Sequence, residues 1–179
     1  ADASADPEDL AYAAAELLGR SLAVSRAGYG TVDTSAETIT ITRDWNAPGI
    51  RSLAGVLQFR DYGSYIEDLK RGETVICADA EKDPRVGDRA QALEAISARS
   101  LVNMPISEPD GVVALLYLNQ ATPREWRADE LELIREVAER IRTAVERRRA
   151  EASVRANEAR LRFLDALGKA TAVERDADG

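Results

Sequence analysis

The chain predicts an α+β fold: one central antiparallel sheet with helices packed on it, continued by a long C-terminal coiled-coil helix. Three observations carry this. Short runs with period-two or β-branched character, such as ETITITRDW (37–45) and TVICAD (74–79), alternate with turn-rich stretches. LVNMPISEPDGVVALLYLN (101–119) places two apolar runs around Glu108-Pro109-Asp110-Gly111, which has the turn chemistry of a hairpin. From Ala128 to about Leu167 the pattern is helical with hardly a stop signal.

The elements follow in order. Asp6-Pro7-Glu8 supplies an N-cap, a proline at the first helical position and an acid in the first turn. The helix it opens puts Leu10, Ala14, Leu17 and Leu18 on one face and closes near Gly19. VSRAGYGTVD (24–33) and ETITITRDW read as strands joined by Thr34-Ser35-Ala36, with Ile39, Ile41, Arg43 and Trp45 on one face of the second. NAPGIRSLAG (46–55) is a loop, VLQF (56–59) a short strand and SYIEDLKRG (64–72) a short helix. TVICAD is a strand, AEKDPRVGD (80–88) a loop and RAQALEAIS (89–97) a helix. The hairpin and the long helix complete the chain.

Composition bounds the function. At 179 residues, 45% hydrophobic and 31% charged, the chain has material for one domain plus an extension. A net charge of -8 gives no electrostatic footprint for nucleic acid. No apolar run reaches the roughly eighteen residues of a membrane span. One cysteine, Cys77, forms no internal disulfide, which points to a reducing, cytoplasmic setting. Histidine is absent altogether. That removes Ser-His-Asp and Cys-His catalysis and histidine ligation of metal or haem. No phosphate-binding glycine loop and no nucleophile elbow occurs, so the chain reads as a non-catalytic module.

LGRSLAVSRAGYGTVD, GETVICADAEKDPR, and ARSLVNMPI followed by DGVVALLYLNQATPREWRADELELIREVAERI resemble the GAF domain, a sensory module of bacterial signalling proteins such as sensor histidine kinases. The resemblance spans about residues 7–146 and rests on Asp83-Pro84-Arg85, the apolar strand reaching Pro105, the strand led by Gly111, and Trp126 with Asp129 opening a helix. It implies a GAF-like sensory domain over 1–146, a signalling helix over 147–170, and in 171–179 a polar tail or the start of a following domain. It also implies a homodimer, a downstream output domain in a two-component or similar system, and an unknown small-molecule ligand.

Family ligand classes can be set against the residues. Bilin-binding members attach pigment through a cysteine beside a histidine; Cys77 has no such neighbour, so the residues argue against covalent bilin, and likewise against haem. Cyclic-nucleotide binders resemble this chain only in part, since Asn119-Gln120 lacks the expected lysine and two residues, where the motif has three, separate Trp126 from Asp129-Glu130. Strand parity and loop position nominate Arg43, Trp45, Tyr62, Tyr65 and Asn103 as ligand-binding residues. Aromatics at such positions also serve as core anchors. Asn103, an amide in an apolar strand, either satisfies a neighbouring loop or meets a ligand. Asp83 and Arg85 read as a loop-fixing ion pair, with a ligand contact as the other role open to Arg85.

In the long helix, Ile134, Ala138, Ile141, Val145, Arg148 and Ala152 form a heptad seam, and Ala150, Val154, Asn157, Leu161 and Leu164 a second of displaced phase. Packing on the domain's own sheet accounts for the first few turns only. The remainder predicts a parallel homodimer with a second copy of the chain. A structural dimerisation domain without ligand is the alternative reading.

Overall fold

The computed structural model describes residues 6–177. Helix α1 (Pro7–Leu22) begins with Asp6 accepting a hydrogen bond from the Glu8 amide and ends at Ala23, whose left-handed backbone closes the last turn onto Gly19. Strands β1 (Arg26–Asp33), β2 (Thr38–Ile41), β3 (Asp44–Asn46) and β4 (Gly55–Gln58) follow. A 3-10 turn over Phe59–Tyr62 leads into the short helix α2 (Ile66–Lys70) and strand β5 (Val75–Cys77). Two more 3-10 turns, at Ala80–Lys82 and Gly87–Arg89, precede helix α3 (Ala90–Ala95). The hairpin β6 (Ser100–Glu108) and β7 (Gly111–Gln120) feeds helix α4 (Ala128–Ala177).

The sheet is antiparallel throughout, in the order β4-β2-β1-β7-β6-β5, with β3 also paired to β1. This is the expected α+β architecture. β7 is central and nearly every residue of it is buried, because both sheet faces are covered. On one face Ile39, Ile41, Leu101, Leu115 and Tyr117 pack under the connecting segments through Phe59, Tyr65, Ile66, Leu69 and Leu93. Residues of opposite parity, among them Val102, Met104, Leu116 and Leu118, are equally buried, and α1 and α4 contribute Ala11, Ala15, Leu18, Ile134, Ala138 and Ile141 as their buried positions.

Two expectations need correction here. The buried stripe of α1 is Ala11, Ala15, Leu18 and Gly19, while Leu17 stays 66% exposed. A methyl group on Gly19 would fall 2.2 Å from the Trp45 ring, so helix and β3 approach through small residues, and this sets the helix's rotation. The second strand is also not continuous. Thr31 faces Thr40 but Gly28 faces Asp44, so three steps on β1 are matched by four on its partner. One extra residue reverses side-chain parity, and Asp44 instead of Trp45 shares the face of Ile39 and Ile41.

Contacts divide the chain after Ala144. The second unit, from Val145 onward, is helical through Ala177, beyond the end near Leu167 that its sequence suggests. Among the described residues no helix is long and apolar enough to cross a membrane.

Candidate functional site

The β-bulge and the hairpin register together build the site. A two-residue turn alone would set Asn103 opposite Leu116. The register shift at Ile106/Ser107 sets it opposite Tyr117 instead, and Leu101 opposite Asn119. Tyr117 in turn faces Gly28, and Asn119 faces Arg26. Polar groups from three neighbouring strands thereby gather on the covered face.

Between that face and the connecting segments lies a cavity of about 50 Å³. Ile39, Ile41, Leu53, Leu57 and Phe59 wall one part of it, Leu93, Ile96, Leu101 and Leu115 another. Its polar lining is Tyr62, Tyr65, Asn103, Tyr117 and Asn119. No ionisable acid or base lines it apart from the tyrosines. Phe59 and Tyr65 meet edge to face at 6.3 Å, and the Asn103 amide sits beside the Tyr65 hydroxyl, whose pKa burial drives upward.

One end of the cavity is closed by a buried polar network that the sequence reading did not single out. Arg26, wholly buried, donates to the Asn46 side chain (3.1 Å), the Arg51 carbonyl (2.6 Å), the Ile96 carbonyl (2.7 Å) and Asn119 Oδ1 (2.9 Å). Asp44 lies 3.7 Å from its Nε and accepts from Ser52 Oγ, the Leu53 amide and Asn46 Nδ2. Burial lowers the Arg26 pKa and Asp44 opposes that shift. The pair ties β1 and β3 to the 47–54 loop and to the end of α3. The signal for it was present: Arg26 is a lone charge on the face of β1 that otherwise carries Gly28 and Gly30.

Of the five nominated residues, Tyr62, Tyr65 and Asn103 line the cavity together. Arg43 and Trp45 do not. Arg43 is exposed, pairs with Asp9 at 2.9 Å and lies 4.1 Å over the Tyr12 ring; Trp45 packs against Gly19. The parity reversal after β2 sends both toward α1. Tyr117 and Asn119 occupy the cavity in their stead.

The other nominated motifs are accounted for by local bonding. Asp83 accepts from the Arg85 amide (2.9 Å) and guanidinium (2.7 Å), and Arg85 also donates to the Ile76 carbonyl (2.7 Å), which fixes the loop to β5. Trp126 Nε1 donates to Ser100 Oγ at 2.9 Å. Glu130 accepts from the Arg127 amide at 3.0 Å and pairs with Arg124. Burial alone would raise the Glu130 pKa, but these two donors outweigh it and hold it below the ordinary value. Cys77 is buried beside Asp83, and burial pushes its pKa up to about 12. Among the described residues no group of three or more acids or thiols could hold a metal ion.

The family model described as GAF domain matches residues 6–145. Among solved structures, the blue-light absorbing form of the Thermosynechococcus elongatus PixJ GAF domain shares 20% identity and superposes with a TM-score of 0.72, covering 85% of this chain and 92% of that one. The phycocyanobilin-bound GAF domain of a cyanobacterial phytochrome shares 18% identity at a TM-score of 0.72, covering 83% and 88%. A far-red absorbing dark state with bound biliverdin IXα shares 16% identity at 0.66, covering 79% and 90%. Comparison with curated protein sequences finds no match.

These structures overturn the expectation that set bilin aside. Domains of this fold hold phycocyanobilin and biliverdin. The absence of histidine in this chain is therefore not enough to exclude a pigment.

Proposed function

The chain belongs to the GAF domain family, and from that premise we propose that it is the non-catalytic sensory and dimerisation module of a larger signalling protein. It takes a small molecule between the sheet and its cover, and passes the change to α4. The carrying observation is the cavity, apolar in its walls and furnished with a few fixed polar groups, Tyr62, Tyr65 and Asn103 among them. Bilins enter as a ligand class to be tested first, because similar domains hold them.

Transmission has a short route. β7 presents Tyr117 and Asn119 to the cavity, and the same strand leads through a brief connection to Trp126, held by the Ser100 hydroxyl at the start of α4. Beyond Val145 the helix exposes Val154, Leu161 and Leu164, the apolar positions of the second seam. A parallel pair of such helices would bring two downstream output domains side by side.

The cavity's size favours the alternative of a structural dimerisation domain. About 50 Å³ is well short of the roughly 150 Å³ that accommodates benzene. A ligand of useful size therefore has to displace the cover.

The deciding experiment combines native mass spectrometry of protein isolated from its own cells with absorbance titration against phycocyanobilin and biliverdin. A stoichiometric adduct, native or reconstituted, supports the sensory reading. A protein that is unliganded in its cells, takes up neither pigment and shows no thermal shift across a metabolite panel would leave only the structural alternative.

A further inference from the structure

We propose, building on the sensory reading above, that the part of the ligand entering the cavity is uncharged and presents a hydrogen-bond acceptor to the Tyr117 hydroxyl. Tyr117 is 3% exposed, it lines the cavity, and its hydroxyl has no hydrogen-bond partner among the described residues. Leaving a buried hydroxyl unpaired is costly, so a fold that keeps one has a use for it.

The neighbours do not supply that partner. Asp44 comes near enough to raise the Tyr117 pKa, behind the larger effect of burial, but it accepts from Ser52, Leu53 and Asn46 and makes no well-formed hydrogen bond with the tyrosine hydroxyl. The hydroxyl instead sits over Gly28, where a Cβ would lie 2.2 Å from it. Glycine at that position leaves the room the tyrosine tip occupies.

Charge balance then sets the ligand's class. Arg26 is not part of the lining, and its donors are committed to carbonyls and amides while Asp44 balances its charge. No charged side chain lines the cavity, so a carboxylate entering it would leave its water and its counter-charge outside. An ammonium or amidinium would likewise meet no carboxylate there, only tyrosines and the amides of Asn103 and Asn119. An unpaired charge in such surroundings is penalised far more than a neutral amide or carbonyl. What remains favourable is an apolar body with a carbonyl-like oxygen for Tyr117, and Asn103 with Tyr65 as a second polar point.

Three isosteric probes test this on the full chain: benzamide, benzoate and benzamidinium, titrated by NMR against wild type and Tyr117→Phe. Benzamide should perturb residues around Tyr117 and bind at least about tenfold more tightly than either ion. Tyr117→Phe should weaken benzamide by roughly two- to tenfold, the span of one neutral hydrogen bond. The same variant should melt no lower than wild type, since it discards an unsatisfied group. Tighter binding of either ion, equal binding of benzamide by the variant, or a variant that melts substantially lower would each overturn the inference while leaving the sensory reading standing. Failure of all three probes to bind wild type would also overturn the inference, whereas the sensory reading stands or falls with the native ligand and the pigment titration.

Discussion

At the scale of single residues, Gly28 fixes where Tyr117 can be. Alanine there would place its Cβ 2.2 Å from the hydroxyl and 3.0 Å from the Asp44 Cβ, with the neighbouring strands unable to part. Gly28→Ala should therefore destabilise by about 1–3 kcal/mol, read as a lower urea midpoint at unchanged slope. Adding Tyr117→Leu should recover part of that loss, because the clash is with the tyrosine's tip. A Gly28→Ala protein as stable as wild type would show that the ring is free to move aside. The sequence offers Gly28 and Gly30 as a pattern without a purpose. Their purpose lies in cross-strand neighbours, the Tyr117 tip beside Gly28 and Ile39 beside Gly30, which the pairing of β1 with β7 and β2 brings there. Asn103 was recognisable as an amide in an apolar strand, whereas its partner across the hairpin was not.

At the scale of elements, legibility followed periodicity. The hairpin, α1 and α4 were readable from apolar spacing and turn chemistry, and their existence and order hold in the structure. Rotation was another matter. The two candidate faces of α1 differ by one position, and tertiary packing of Gly19 on Trp45 chose between them. Leu18→Ala should consequently cost about 2–5 kcal/mol, as a fully buried leucine does. Leu17→Ala should stay within about 0.5 kcal/mol of wild type. Paired thermal melts check this, and equal losses from the two substitutions would mean that the helix is rotated from its described position. The same kind of failure misplaced Arg43 and Trp45: alternation was read straight through a strand that the structure breaks after Ile41.

For the whole molecule, the question is what the second unit is for. Ile134, Ala138 and Ile141 are buried within the first unit, so the first seam is used up before Val145. Val154, Leu161 and Leu164 are 57%, 57% and 48% exposed. Burying each against a second chain contributes about 1.5–3 kcal/mol, enough for three of them to outweigh a polar seam position such as Asn157. Light scattering should find the full chain dimeric and a version ending at Ala144 monomeric or much weaker in association. A full chain that is monomeric at high concentration, or a truncated one that dimerises as well, would remove the helix from this role.

The solitary thiol of Cys77 makes the native protein its own clock. With a pKa near 12 and a position in the core cluster that includes Tyr65 and Ile66, it offers a disulfide reagent almost no thiolate at pH 8 while the cover is shut. Labelling must wait for the cover to open, so its rate measures how often that happens. Ellman's reagent should react in one slow phase, quickened by mild urea and slowed by any molecule that fills the cavity. Full labelling within the mixing time would mean that the cover is seldom shut. A compound that binds yet leaves the rate untouched has gone elsewhere, and the clock then identifies a false ligand as readily as a true one.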